Sequence, residues 1–414
     1  VDSFFRPTWV EISLDALRHN LEAFREILPE TVQRMAVIKA DAYGHGAVEV
    51  AREALHCGVA YLAVAFLDEA LELREAGIEA PILVLGYTPP EGLALAARHG
   101  ITLNVYQDEV LEAIAADPGR YAERPLKVHI KIDTGMGRIG LATEDEAIRF
   151  IDRARSLPGL EVEGLFTHFA SADEADKSYT REQYRRFDRI VRHYAGLGVT
   201  FRFLHTGNSA AAIDCPELTY NMVRLGISMY GMYPSDEVMK RKIRLQPVLS
   251  LKTAVVMNKL LPPGSGISYG TIYHTATHEQ IATLPVGYAD GYSRRLTGKA
   301  EVLIRGKKVP VVGRICMDQC MINVTGMEEI RIGEEVVLIG QQGDECITAD
   351  DLAHSLGTIN YEITCAISHR VPRVYLRNGQ PYRIVNPLVS KRGAEVISQG
   401  KNRPAEGIPG PDGE

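Results

Sequence analysis

The chain has 414 residues, more than one ordinary domain, so two domains are expected. With 45% hydrophobic and 24% charged residues it reads as globular, and a formal net charge of −7 excludes the basic footprint of a nucleic-acid or anionic-membrane binder. No apolar stretch is long enough to cross a bilayer, Val1 to Pro7 has no signal-peptide pattern, and six cysteines without paired spacing suit a reducing compartment, so a cytoplasmic protein is expected.

Strand-length apolar runs fall near 35–39, 61–66, 82–86, 101–105, 126–133, 161–168, 202–206 and 220–225. Amphipathic helical patterns, such as 47–56, 67–76, 107–116, 143–156 and 180–197, lie between them. Strict alternation predicts a parallel sheet, and eight units predict an α/β architecture, a closed (β/α)8 TIM barrel over 13–244. From about 248 the runs become short and β-branched, with turns at Gly264, Gly306, Gly333 and Gly343 and one helix near 348–356. This predicts a mostly-β domain over 245–390, followed by a solvated polar tail over 391–414. Cys316 and Cys320 are the one close cysteine pair, without two further ligands at zinc-site spacing, so no metal is expected.

In barrel enzymes chemistry gathers where strands end. Lys39 closes the first strand, ahead of a turn carrying Gly44 and Gly46. Alone it fits either a lysine snorkelling to solvent or a desolvated amine that forms a Schiff base. On the fifth strand a period-two alternation points Lys127, His129, Lys131 and Asp133 inward. The following Gly135-Met136-Gly137-Arg138-Ile139-Gly140 matches the dinucleotide-binding spacing, with Glu161 and Glu163 at a suitable distance. That fingerprint belongs on the first strand of its unit, and here four units precede it, which argues against NAD. The sixth strand runs into His168, where a core histidine bonded to backbone is the plain alternative. Loops after strands seven and eight of a barrel often bind phosphate, and Ser209, Gly226 and Ile227 stand there. A lysine on strand one with that cradle describes a pyridoxal phosphate site.

The segments Ala36 to Gly46, Asp133 to Gly140 and Asn221 to Gly231 resemble the bacterial alanine racemases, barrel-type pyridoxal 5′-phosphate enzymes. So do Ser268-Tyr269-Gly270, Gly287 to Gly291 and Gly313 to Gln319, and the likeness runs from about Trp9 to Arg373. The resemblance implies a homodimer in which the partner's β domain completes each barrel mouth, with residues 1–12 joining the β domain. It implies that Lys39 holds the cofactor and that Tyr269 arrives from the other subunit. Tyr43, Asn208, Ser209, Gly226, Ile227 and Tyr361 would surround the cofactor, chiefly its phosphate. Arg224, buttressed by His168, would face the pyridine nitrogen; Arg138 and the backbone of Met317 would meet the substrate carboxylate. Lys131 matches a position carbamylated in some relatives; pairing with Asp133 is the alternative.

Racemisation removes the α-proton from one face and returns one to the other, so two acid/base groups must oppose each other. Lys39 and Tyr269 fit those places, with the phenol activated by Arg224 acting through His168. Arg224 can only donate, so the ring nitrogen stays unprotonated, which favours a racemate over a keto acid. The expected reaction interconverts L- and D-alanine, supplying D-alanine for peptidoglycan. The alternatives are a broad-specificity or serine racemase, a basic amino-acid decarboxylase, and a non-enzymatic pyridoxal phosphate carrier. Tyr361 should narrow the pocket toward a methyl side chain, a small discrimination against one extra hydroxyl.

Overall fold

The computed structural model describes residues 4–389. The expected tail over 391–414 therefore lies outside the described residues.

The first strand, β1 (Thr8–Ser13), does not enter the barrel. Eight parallel strands follow: β2 (Gln33–Val37), β3 (Tyr61–Val64), β4 (Ile82–Val84), β5 (Ile101–Val105), β6 (Leu126–Lys131), β7 (Leu160–Phe166), β8 (Phe203–His205) and β9 (Met222–Leu225). Their order is β8-β7-β6-β5-β4-β3-β2-β9. β8 and β9 meet without a ladder, joined by the Arg224 N–H donating to Gly207 O at 3.1 Å. Helices such as Ala47–His56, Glu144–Ser156 and Ser178–Gly196 cover the outside. Each buries one apolar stripe against the outward strand residues, such as Val128 and Ile130.

The second sheet has eleven strands, among them β10 (Leu249–Ala254). β1 lies inside it, antiparallel to β10 and parallel to Arg373–Arg377, so the first and last parts of the described chain meet there. Gly264, Gly306, Gly333 and Gly343, the expected turns, all take positive φ. The expected helix near 348–356 forms over Ala349–Leu356, capped by Thr348. A second helix, Asn360–Cys365, was not anticipated; at six residues it is too short to carry a period.

Two expectations need correction. β2 ends at Val37, and Lys39 opens a turn rather than closing the strand. Ala40, Asp41, Ala42 and Tyr43 all have φ between 51° and 56°, a left-handed turn built from residues that disfavour it by roughly 1–2 kcal/mol each. The turn persists because its surroundings over-determine it. The Ala40 N–H donates to Glu69 Oε1 (2.6 Å), the Ala47 N–H to Asp41 Oδ1 (2.7 Å), and Arg373 to Gly44 O (3.0 Å). Gly44 and Gly46 have no room for a side chain: a Cβ would stand 2.2 Å from Thr364 O and 1.7 Å from Tyr375 Oη.

The second correction is Asp133. Its Oδ1 accepts the amides of Gly135, Met136 and Gly137 at 2.9, 2.8 and 3.1 Å, because β6 has ended at Lys131 and strand parity no longer applies. The glycine loop thus spends its amides on the chain's own carboxylate, and the next helix begins only at Glu144. Those three amides are not free to cradle a dinucleotide phosphate. Lys127, at the strand's start, is half-buried and its ammonium reaches the interior carboxylate of Glu163 at 3.6 Å.

Candidate active site

Lys39 sits at the base of the left-handed turn, partly buried. Burial, then the charge of Arg138, lowers its ammonium pKa against the smaller pull of Cys365 and Glu69. A lysine so placed gives up its proton more readily than an exposed one, which imine formation and proton transfer need.

Across the mouth, Ser209 opens the helix Ser209–Asp214, and its hydroxyl accepts the Gly226 N–H at 3.0 Å. Asn208 caps that helix, its side-chain oxygen accepting the Ala211 N–H at 3.0 Å. Ile227 begins the next helical turn. A Cβ on Gly226 would stand 2.8 Å from the Tyr43 hydroxyl, so the missing side chain leaves space between them. Tyr361, from the unanticipated helix, lies beside Tyr43 with ring centroids 6.1 Å apart. Burial raises the phenol pKa of both tyrosines, which keeps them neutral donors.

Arg224 is buried at the end of β9. It donates to Thr167 O (2.8 Å), Thr206 O (3.0 Å), His205 O (3.1 Å), His205 Nδ1 (2.7 Å) and His168 Nδ1 (3.1 Å). Guanidinium cannot accept, so both Nδ1 atoms are unprotonated. Burial and then Arg224's charge hold His168 and His205 well below the ordinary imidazole range. His168 was expected here; His205 was not, although its strand-end position was visible. Burial, then Arg138, pushes Arg224 itself down to about 9, still cationic at neutral pH.

Lys131 Nζ donates to Ile132 O at 3.0 Å and lies 5.6 Å from the Phe166 ring centre. The alternative pairing with Asp133 does not form, since that carboxylate serves the loop. Burial, then Arg224, with Arg138 adding, pushes Lys131 down to about 7 against the pull of Asp133. Among the described residues none of Lys39, Lys131, Arg138 and Arg224 forms an ion pair. Lys131 and Arg224 are buried, Lys39 is half-buried and Arg138 is exposed beside them; such an uncompensated cation cluster fits an anionic cofactor and an anionic substrate. Together with a cradle where a glycine stands, it fits pyridoxal phosphate.

The remaining expected residues stand elsewhere. Tyr269 is 71% exposed and Met317 53% exposed, both on the β domain. Their segments are tied together: Ser268 Oγ donates to Arg314 O (2.6 Å), and the Ala289 N–H to Met317 O (3.0 Å). They form one surface patch that carries Tyr269 outward on a turn where Ser268 takes φ 64°.

Comparison with known proteins accounts for this arrangement. The alanine racemase N-terminal domain family matches residues 12–234, and the C-terminal domain family matches 248–375. An alanine racemase of Desulfovibrio desulfuricans is 48% identical over 374 residues, 90% of this chain and 99% of that protein. A crystal structure of alanine racemase from Bacillus anthracis with bound L-Ala-P is 46% identical, with a TM-score of 0.88 over 94% of this chain and 99% of that one. An alanine racemase structure from Clostridium difficile 630 is 44% identical, with a TM-score of 0.89 over 93% and 99% of the two chains. Both domain families, matched in order along one chain, place it in the alanine racemase family.

Proposed function

We propose that this protein uses pyridoxal 5′-phosphate to interconvert L- and D-alanine, with Lys39 and Tyr269 as its two proton-transferring groups. The observation that carries this reading is the set of unpaired cations at the barrel mouth, Lys131 and Arg224 buried, Lys39 half-buried and Arg138 exposed beside them. Tyr43, Asn208, Ser209, Gly226, Ile227 and Tyr361 would hold the phosphate end. Arg224, backed by His168, would face the ring nitrogen and, being only a donor, leave it unprotonated. Arg138 would meet the substrate carboxylate. When bound, the cofactor withdraws electrons from the α-carbon and acidifies its hydrogen.

Lys39 then exchanges that proton on one face. Its lowered pKa suits the task, since a general base works best with a pKa near the operating pH. On the other face the phenol of Tyr269 would act, supplied by a second copy. The outward patch bearing Tyr269 and Met317 supports a homodimer with shared sites, in which Met317 of the partner subunit also meets the carboxylate. Such an enzyme would work in the cytoplasm and provide D-alanine to peptidoglycan assembly. Among the described residues no helix is long and apolar enough to cross a membrane.

Circular dichroism of L-alanine incubated with the holo-protein tests the reading: the signal should decay to zero. Faster decay of L-serine or L-lysine would replace alanine with a broader specificity. Loss of the signal with release of carbon dioxide and an achiral amine, and no D-amino acid formed, would indicate a decarboxylase.

Lys131 carries a carbamate in this reading. At about 7, its pKa leaves a large neutral fraction at neutral pH. The neutral amine adds to carbon dioxide, forming an N–C bond and releasing one proton, and the new anion offsets Arg138 and Arg224. Intact mass under gentle conditions should show one added carbon dioxide, with occupancy rising as pH is raised through that value. An unmodified mass in bicarbonate buffer above it would exclude the modification.

A further inference from the structure

Below Arg224 the barrel interior holds a polar column that no step above uses. His205, His129 and Glu163, all buried, follow one another from the end of β8 to β6 and β7. His205 Nε2 lies 2.8 Å from His129 Nδ1, and His129 Nε2, which has no hydrogen-bond partner, lies 3.4 Å from Glu163 Oε2. Glu163 is further met by the Tyr61 hydroxyl (3.0 Å), Arg202 (3.2 Å) and Lys127 (3.6 Å).

The backbone makes room for this column. β6 and β7 shift register between Val128 and His129, so that Val128 pairs with Val162 but His129 pairs with Gly164. Glu163 is the extra residue, a bulge of the kind that brings a side chain where a regular ladder would not. Next to it, a Cβ on Gly164 would stand 3.0 Å from His129 Nδ1 and 2.9 Å from Phe203 O. A bulge and a glycine at one place accommodate one carboxylate and one imidazole.

The chemistry of the two ends leaves the column a single arrangement. Guanidinium only donates and carboxylate only accepts. His205 Nδ1 must therefore accept from Arg224, which puts its proton on Nε2. His129 Nδ1 must accept that proton's hydrogen bond, which puts its own proton on Nε2, facing Glu163. Burial would raise the Glu163 carboxyl, but His129, Tyr61 and Lys127 outweigh it and keep it ionised.

We infer that Glu163 is a positioning residue that, through His129 and His205, fixes both imidazole tautomers and holds Arg224 as a donor toward the cofactor. The inference rests on the reading of Arg224 as the ring nitrogen's neighbour. Its protein part does not: the tautomers belong to the chain itself.

The test is nitrogen NMR of the full-length holo-protein labelled at histidine, with signals assigned from single histidine variants. His129 and His205 should each show a protonated Nε2 and a bare Nδ1, in holo- and cofactor-free protein alike. A protonated Nδ1 on either ring would overturn the inference. Glu163→Leu should perturb the His129 tautomer and lower kcat about tenfold, with KM for alanine within about twofold, since a buried imidazole N–H loses the one carboxylate it faces. Glu163→Gln keeps an acceptor and should restore the tautomers and bring kcat to within about threefold of the parent. If the leucine variant does not fold, the glutamine variant decides alone: altered tautomers refute the column. Wild-type tautomers in Glu163→Leu would refute it too. Failure of the parent protein to racemise alanine, with the expected tautomers present, would instead sink the reading of function.

Discussion

Lys39→Ala is expected to lower kcat for both alanine enantiomers by roughly 10²–10⁴-fold, the contribution of a positioned acid/base group. No other amine can take its place. Lys131 has its Nζ turned to Ile132 O and as a carbamate keeps no basic amine, and Arg138 and Arg224 cannot deprotonate usefully at neutral pH. The variant should also lose the visible absorption that a lysine-bound cofactor gives. Folding should be spared. The left-handed turn is held through Ala40, Asp41 and Gly44, not through the Lys39 side chain, and a desolvated cation without an ion pair is removed. The melting temperature should therefore stay level or rise. Lys39→Arg separates charge from proton transfer: it keeps the cation and should be as inactive as alanine. Turnover within about threefold of the parent in either variant would remove Lys39 from the mechanism.

Much of this protein is legible in its residues, and the failures have local causes. Alternating strand and helix patterns give the eight barrel strands because buried parallel strands need continuous apolar runs. Strand ends are less legible. Lys39 looks like the last residue of a strand, yet four non-glycine residues after it turn left-handed, held by Glu69 and Arg373 from distant parts of the chain. No propensity of alanine or tyrosine foretells that. Parity fails at Asp133 because the strand has stopped, and at Glu163 because a bulge has added a residue. His129 is legible as inward-facing, but its partner His205 is not, since three-dimensional register decides which imidazoles meet. Arg224, Ser209 and Gly226 are visible as a strand-end group. Tyr269 is visible only through the family likeness: within one chain it is a surface tyrosine, and no pattern along the sequence says what it confronts.

Tyr269→Phe should slow racemisation by roughly 10²–10⁴-fold while leaving the pocket's shape intact. Both directions must slow alike, because enantiomers have equal free energy and the ratio of their kcat/KM values is fixed at one. The informative measurement is therefore exchange of the α-hydrogen with deuterated water. Lys39 still serves its own face, so one enantiomer should exchange while the other does not. Unchanged racemisation, or equal loss of exchange from both enantiomers, would remove the phenol from its role. Mixing this variant with Lys39→Ala asks where the phenol comes from. If each site joins Lys39 of one subunit to Tyr269 of the other, a mixed dimer gathers both defects in one site and leaves the other intact. Random reassociation makes half the dimers mixed, so about a quarter of the parent activity should return from two inactive proteins. If both groups came from one chain, every site would keep a defect, and mixing would restore nothing.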